Sequence, residues 1–175
     1  MLTGDTRRPD AFVFLGDAAY TDVLSVPPLP VGAFYRRLLA NADVARFLRH
    51  VPLYAMYDDH EIANDYKLGP DTSLYERRLA TWLRYIGAQN PPSPDVGEQY
   101  FAFTFGPALR VFMADTRRYR GTPQALLGNK QRASLQHWLN YTRDDDSAVT
   151  REPLSLLATP SVTSAVLIRK RREGW

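Results

Sequence analysis

The stretch "FVFLGDAAYTD", Phe12–Asp22, sets an apolar, β-capable run against an abrupt Gly16-Asp17, with Tyr20 and Asp22 close behind. Phe12 to Leu15 reads as a short buried strand, bounded by "RRPD" before it and Gly16 after it. Two explanations fit a carboxylate at the mouth of such a strand. Gly and Asp favour turns, because Gly tolerates unusual backbone angles and Asp bonds back to its own backbone. Alternatively, Asp17 is held where a hard cation can reach it.

The same grammar recurs twice. "PLYAMYDDHE", 52–61, is an apolar run that ends in acidic residues, so a second strand is expected to end near Tyr57. "YFAFTFGPALRVFMADTRRYR", 100–120, reads as two strands around a Gly-Pro turn, the second ending at Ala114-Asp115. Between these runs lie helical patterns. "AFYRRLLANADVARFLRH" has Phe34, Leu38, Leu39, Phe47 and Leu48 as inward residues, with Asn41 as a point where it divides. "TSLYERRLATWLRYIG" places Leu74, Leu79, Trp82, Leu83 and Ile86 on one side, capped by Thr72 or Ser73 and ended by Gly87. "NKQRASLQHWLNYT" turns Leu135, Trp138 and Leu139 inward, and "PLSLLATPSVTSAVLI" is strand-like. Strands alternating with helices indicate an α/β domain. In open α/β sheets the ligand site lies beyond the carboxyl ends of the strands, where Asp17, Asp58, Asp59 and Asp115 are expected together.

Composition bounds the chemistry. The 175 residues suffice for one domain with a real core. With no cysteine, disulfides, thiolate metal sites and a cysteine nucleophile are excluded. No apolar run reaches membrane-spanning length, and "MLTGDTRRPD" lacks the apolar core of a signal peptide, which leaves the compartment open. The net charge of +3 is spread over arginine pairs such as Arg36-Arg37 and Arg77-Arg78, with one dense cluster at the tail "RKRREGW". A solvated surface accounts for most of it, and no nucleic-acid partner is expected. Three histidines, His50, His60 and His137, cap the imidazole ligands of any metal site.

"YDDHEIANDY", Tyr57–Tyr66, is the most informative segment. Asp58, Asp59, His60, Glu61, Asn64 and Asp65 crowd together, and gathered carboxylates repel unless a cation or hydrogen bonds compensate. Carboxylate oxygens suit Ca, Mg, Mn or Fe, and imidazole extends the range to Zn and Fe. An acidic helix start, favoured by the helix dipole, explains Asp58 and Glu61 but not the histidine among them. With Asp17 at the end of a strand expected to run parallel beside the one ending near Tyr57, a metal site is the expected reading.

"FLGDAAY", "PLYAMYDDHEIANDY" and "YFAFTFGPALRVFMADTRRYR" together resemble the alkaline phosphatase D (PhoD-like) family of metallophosphatases. That family shows a Gly-Asp-x-x-Tyr element, an Asp-Asp-His-Glu element with a trailing asparagine, and an Asp-Thr-Arg-x-Tyr-Arg element. The likeness runs in order from about residue 9 to 139, including "LLGNKQRASLQHWL". It implies a calcineurin-like metallophosphoesterase sandwich. Asp17 resembles the aspartate that bridges two metal ions, and Tyr20 the tyrosine that ligates iron; a packed strand-end tyrosine is the other reading of Tyr20. Asp59 stands where related phosphoesterases have an asparagine ligand. His60 resembles the histidine that contacts the phosphoryl oxygens and protonates the leaving group. Asn64 is a further ligand or phosphate contact. Asp115 and Arg117 match the third element, as an ion pair or as substrate contacts.

The resemblance implies metal-dependent hydrolysis of small phosphate mono- or diesters, with Ca and Fe as cofactors. A metal motif ahead of Asp17, an iron-binding cysteine and a late Gly-Asp-x-His element have no counterpart in the sequence. One incomplete phosphatase domain over 1–175, with an atypical tail from 140, is therefore expected. The alternative is an inactive binding protein that keeps the fold. Oligomeric state is left open.

Overall fold

The computed structural model describes residues 8–22, 29–106, 109–123, 126–144, 154–158 and 165–168. The basic tail and Pro107 of the Gly-Pro turn lie outside the described residues.

Strand β1, Ala11–Leu15, buries every second residue, as an apolar run covered mainly on one face should. It pairs in parallel with β2, Leu53–Met56, in the register Phe12↔Leu53 to Leu15↔Met56. The expectation of parallel neighbours that both end in acidic loops is met. β6, Ala165–Ile168, adds an antiparallel partner on the other side of β1, giving the sheet order β2-β1-β6. A second three-stranded sheet has the order β3-β4-β5. In it the hairpin β3, Phe101–Phe105, and β4, Leu109–Met113, is joined by a parallel β5, Leu154–Ala158. The acidic strand end at Asp115 thus belongs to a different sheet from those at Asp17 and Asp58.

The sheets share one core: Ala11, Val13 and Leu15 from the first meet Phe101, Val111 and Met113 from the second. Tyr54 of β2 stacks on Phe103 of β3, ring centroids 3.8 Å apart. Ala55 of β2 exchanges both backbone hydrogen bonds with the carboxamide of Asn90, at 2.9 and 2.7 Å. That carboxamide completes the strand where the sheet ends, since its oxygen and its NH2 reproduce the acceptor and donor of a neighbouring peptide.

Helices α1, Val31–Ala40, and α2, Ala42–Leu48, divide at Asn41, which accepts the amides of Asp43 and Val44 through Oδ1 and so caps α2. The expected inward residues of this pair are only half-buried; the fully buried one is Tyr35. α3, Ser73–Tyr85, is capped by Thr72 and buries Tyr75, Leu79 and Trp82. Each such large apolar residue contributes roughly 1.5–3 kcal/mol of burial. Gly87 does follow its end, but for space: a Cβ there would lie 2.2 Å from the Trp82 ring. α4, Gly128–Asp144, covers the second sheet through Leu135 and Trp138. Leu139, expected inward, is half-exposed, and Gln131 is buried in its stead. The reason is polar. Gln131 accepts the Asp115 amide and donates to the carbonyls of Asp115 and Leu127, closing the open end of β4 as Asn90 closes β2.

Candidate metal centre

The loop after β1 begins with two consecutive residues in the left-handed region, Gly16 at φ 93° and Asp17 at φ 58°. Gly16 is required twice over. Its φ disfavours any larger residue, and a Cβ would stand 2.3 Å from the Cβ of Asp58 on the loop after β2. This contact brings the two strand-end loops together. A non-glycine residue at φ 58° is strained, and such strain concentrates at sites whose surroundings over-determine it.

Those surroundings are Glu61 and Thr21. Glu61 is fully buried, and its carboxylate accepts the amides of Asp17 (3.0 Å), Ala19 (3.1 Å) and Asp58 (2.8 Å). Its bond to Asp58 is half of a capping box that starts the 3-10 turn Asp59–Glu61, the acidic helix start read in the sequence for Asp58 and Glu61. Burial raises the Glu61 carboxyl against the pull of these three amides. The Thr21 hydroxyl donates to the carbonyl of His60 at 2.8 Å, and Arg78 of α3 holds Thr21 through two bonds.

Within this frame Asp17, Asp59 and His60 each present a ligand atom within 4.8 Å of the others. Asp17 Oδ1 is buried and has no hydrogen-bond partner. Burial, then the Asp58 charge, pushes its carboxyl up, which marks a carboxylate short of positive charge. Asp59 is the opposite case. It too loses solvation, but the Asp65 amide at 2.7 Å and the Arg117 guanidinium at 3.1 Å hold its carboxyl below the usual range. The His60 Nδ1 faces both oxygens of Asp22, at 2.9 and 3.0 Å. With that nitrogen engaged, a neutral ring carries its lone pair on Nε2. Burial opposes the imidazolium, but Asp22, with the charges of Asp17 and Asp59, raises its pKa overall. Two carboxylates are a donor set for a hard cation, which fits at the orphaned Asp17 oxygen; the imidazole beside them can join as a neutral ligand or, as imidazolium, donate a proton instead.

The remaining expected residues fall at different distances from this trio. Tyr20 is half-exposed and lies against His60, ring centroids 4.1 Å apart; the Asp17 carboxylate beside it pushes its phenol up. Asn64 has its amide held by Asp22 at 2.7 Å and is exposed at the rim. Arg117 is buried, bonded through Nε to Asp58 and through Nη2 to Asp59. Its ion pairs are with Asp58 and Asp59 rather than with Asp115, which takes its backbone amide instead. Asp115 is fully removed from the crevice: it accepts the Tyr57 hydroxyl and the amides of Arg117 and Arg118, while Tyr57 shares a 2.5 Å bond with Tyr75. Asp115 thereby shapes the turn from which Arg117 projects.

Sequence reasoning did not single out Asp22 as the partner of His60. It was visible beside Tyr20, but its partner His60 is 38 positions away. The signal available was the excess of acid on the first loop opposite the histidine of the second.

Comparison with known proteins bears on the family and the fold. The family model described as PhoD-like phosphatase matches residues 33–157, more than two thirds of the sequence, and includes Asp59, His60, Asn64 and Arg117. Asp17 and Tyr20 precede the matched range. The solved "Structure of PhoD" resembles the fold with a TM-score of 0.52 and 20% identity, over 83% of this protein and 35% of that one. The sequence thus spans just over a third of the length of that relative. No curated protein matches.

Proposed function

The protein belongs to the PhoD-like phosphatase family, and from that premise we propose that Asp17, Asp59 and His60 form the centre of a metal-dependent phosphate mono- or diester hydrolase. The observation that carries this reading is the convergence of their donor atoms around a buried, unpartnered Asp17 oxygen. The two sheets over one core support a calcineurin-like sandwich as the scaffold.

In this reading Asp17 and Asp59 hold the cations, Ca and Fe by family likeness, with Tyr20 and Asn64 as further contacts at the rim. Bound cations would supply Lewis acidity toward the phosphoryl oxygens and a water of lowered pKa. Arg117 keeps Asp59 ionised and fixed in direction. Asp22 orients the His60 ring and favours the imidazolium, the form that donates a proton to a leaving oxygen. Tyr20, lying over His60, shields one face of that ring from water. The substrate is a small phosphate ester. No helix among the described residues is long and apolar enough to cross a membrane.

The test is hydrolysis of p-nitrophenyl phosphate and its bis-ester by protein stripped with chelator and then supplied with Ca2+ and Fe3+. Turnover restored by metal and abolished in Asp17→Asn is expected. Turnover that persists in chelator, or survives Asp17→Asn, would refute the assignment. Metal binding without turnover would reduce the site to a binding centre.

A further inference from the structure

We infer that Glu61 is a positioning residue whose carboxylate joins the two ligand-bearing loops into one unit and so sets metal affinity; this rests on the metal-centre reading above. Glu61 belongs to the acidic cluster but not to the converging trio, and nothing in the proposed chemistry uses it. Its Oε2 accepts two amides from different strand ends, Asp17 after β1 and Asp58 after β2. Its Oε1 accepts Ala19 from the first loop. One oxygen therefore fixes the separation of the backbones from which Asp17 and Asp59 project. The bond to the Asp17 amide also holds that residue at its left-handed φ of 58°.

Only a carboxylate of this length does this. All three partners are N–H donors, and an ionised carboxylate is acceptor-only. In Glu61→Gln the amide NH2 must face either Ala19 or the Asp17–Asp58 pair, setting donor against donor. Glu61→Asp is one methylene short for bonds that reach across loops. The Glu61 carboxylate has no exposed surface, so water cannot supply the missing acceptor.

Positioning and mere structural support separate in metal affinity. Mn2+ binding is followed by calorimetry on folded wild type, Glu61→Gln, Glu61→Asp and Tyr100→Phe. The last loses a hydroxyl bonded to Asp95 and Ser134, in a second core cluster that contains neither loop. Loss of such an outer partner typically weakens a metal site ~10–100-fold. That loss is expected in both Glu61 variants, with Tyr100→Phe unchanged in affinity even where its thermal midpoint falls. Equal affinity in wild type and folded Glu61→Gln overturns the inference while leaving the metal centre standing. No binding by wild type overturns the metal centre itself. If neither Glu61 variant folds, amide exchange in the wild type decides: Asp17, Ala19 and Asp58 are expected to exchange slowly and through a common opening. Free exchange of Asp17 or Asp58 in the folded protein overturns the inference.

Discussion

Gly16 and Asp58 meet so closely that one added methyl at Gly16 would stand 2.3 Å from the Asp58 Cβ. This contact between strand ends brings the candidate ligands of two loops to one place. Gly16→Ala combines a clash with a left-handed φ of 93° and is expected to cost about 2–5 kcal/mol. Against a total stability of roughly 5–15 kcal/mol, that is a large fraction. Urea denaturation measures it, and an unchanged midpoint would mean that the loops do not touch.

Arg117 bridges Asp58 and Asp59 from a buried position. Arg117→Met leaves two carboxylates without their partner and is expected to destabilise the metal-free protein by about 3–5 kcal/mol. Arg117→Lys should recover only part, since an ammonium cannot fork between two acids. Wild-type stability in Arg117→Met would show that the guanidinium faces outward, toward substrate.

Asp22 bonds the His60 ring and the Asn64 amide. Asp22→Asn keeps an acceptor for the amide but removes the charge that favours the imidazolium. Turnover is expected to fall ~10–100-fold while metal content stays near wild type. Loss of metal in step with turnover would instead make His60 primarily a ligand.

Alkaline pH acts on a separate set of groups. Burial raises the phenols of Tyr35, Tyr57, Tyr75 and Tyr100 above their ordinary value near 10. A folded pKa above the unfolded one means that stability is full below about pH 10 and is lost as pH climbs through the folded values. Spectrophotometric titration should therefore show four phenols silent in the folded protein and ionising together with unfolding. Gradual ionisation of all ten tyrosines without unfolding would contradict their burial.

Local pattern carried much of this into the sequence. The apolar, β-capable run Phe12–Leu15 and the acids at two strand ends pointed to the parallel pair β1-β2 and the loops that bear the trio. Asn41 was legible as a break because its carboxamide oxygen takes the amides that would otherwise continue the first helix. What local pattern could not carry was partnership at long range. Gly16-Asp17 reads as a turn or as a ligand, and it is a turn built so that Asp17 meets the second loop. Whether Arg117 meets substrate or Asp58 depends on a residue 59 positions away. Hydrophobic periodicity erred on α4 because Gln131 is buried for its amide, which completes the end of a strand, while Leu139 at a nominally inward position stays half-exposed.

Asp17 and Asp59 are assigned to holding the metal and His60 to moving the proton. Metal content of purified Asp17→Asn, Asp59→Asn and His60→Ala, measured after loading with Mn2+ and desalting, separates these roles most directly. Both aspartate variants are expected to lose metal. His60→Ala is expected to keep wild-type metal content while its turnover falls roughly 10²–10⁴-fold. Full metal content in Asp17→Asn would contradict the assignment.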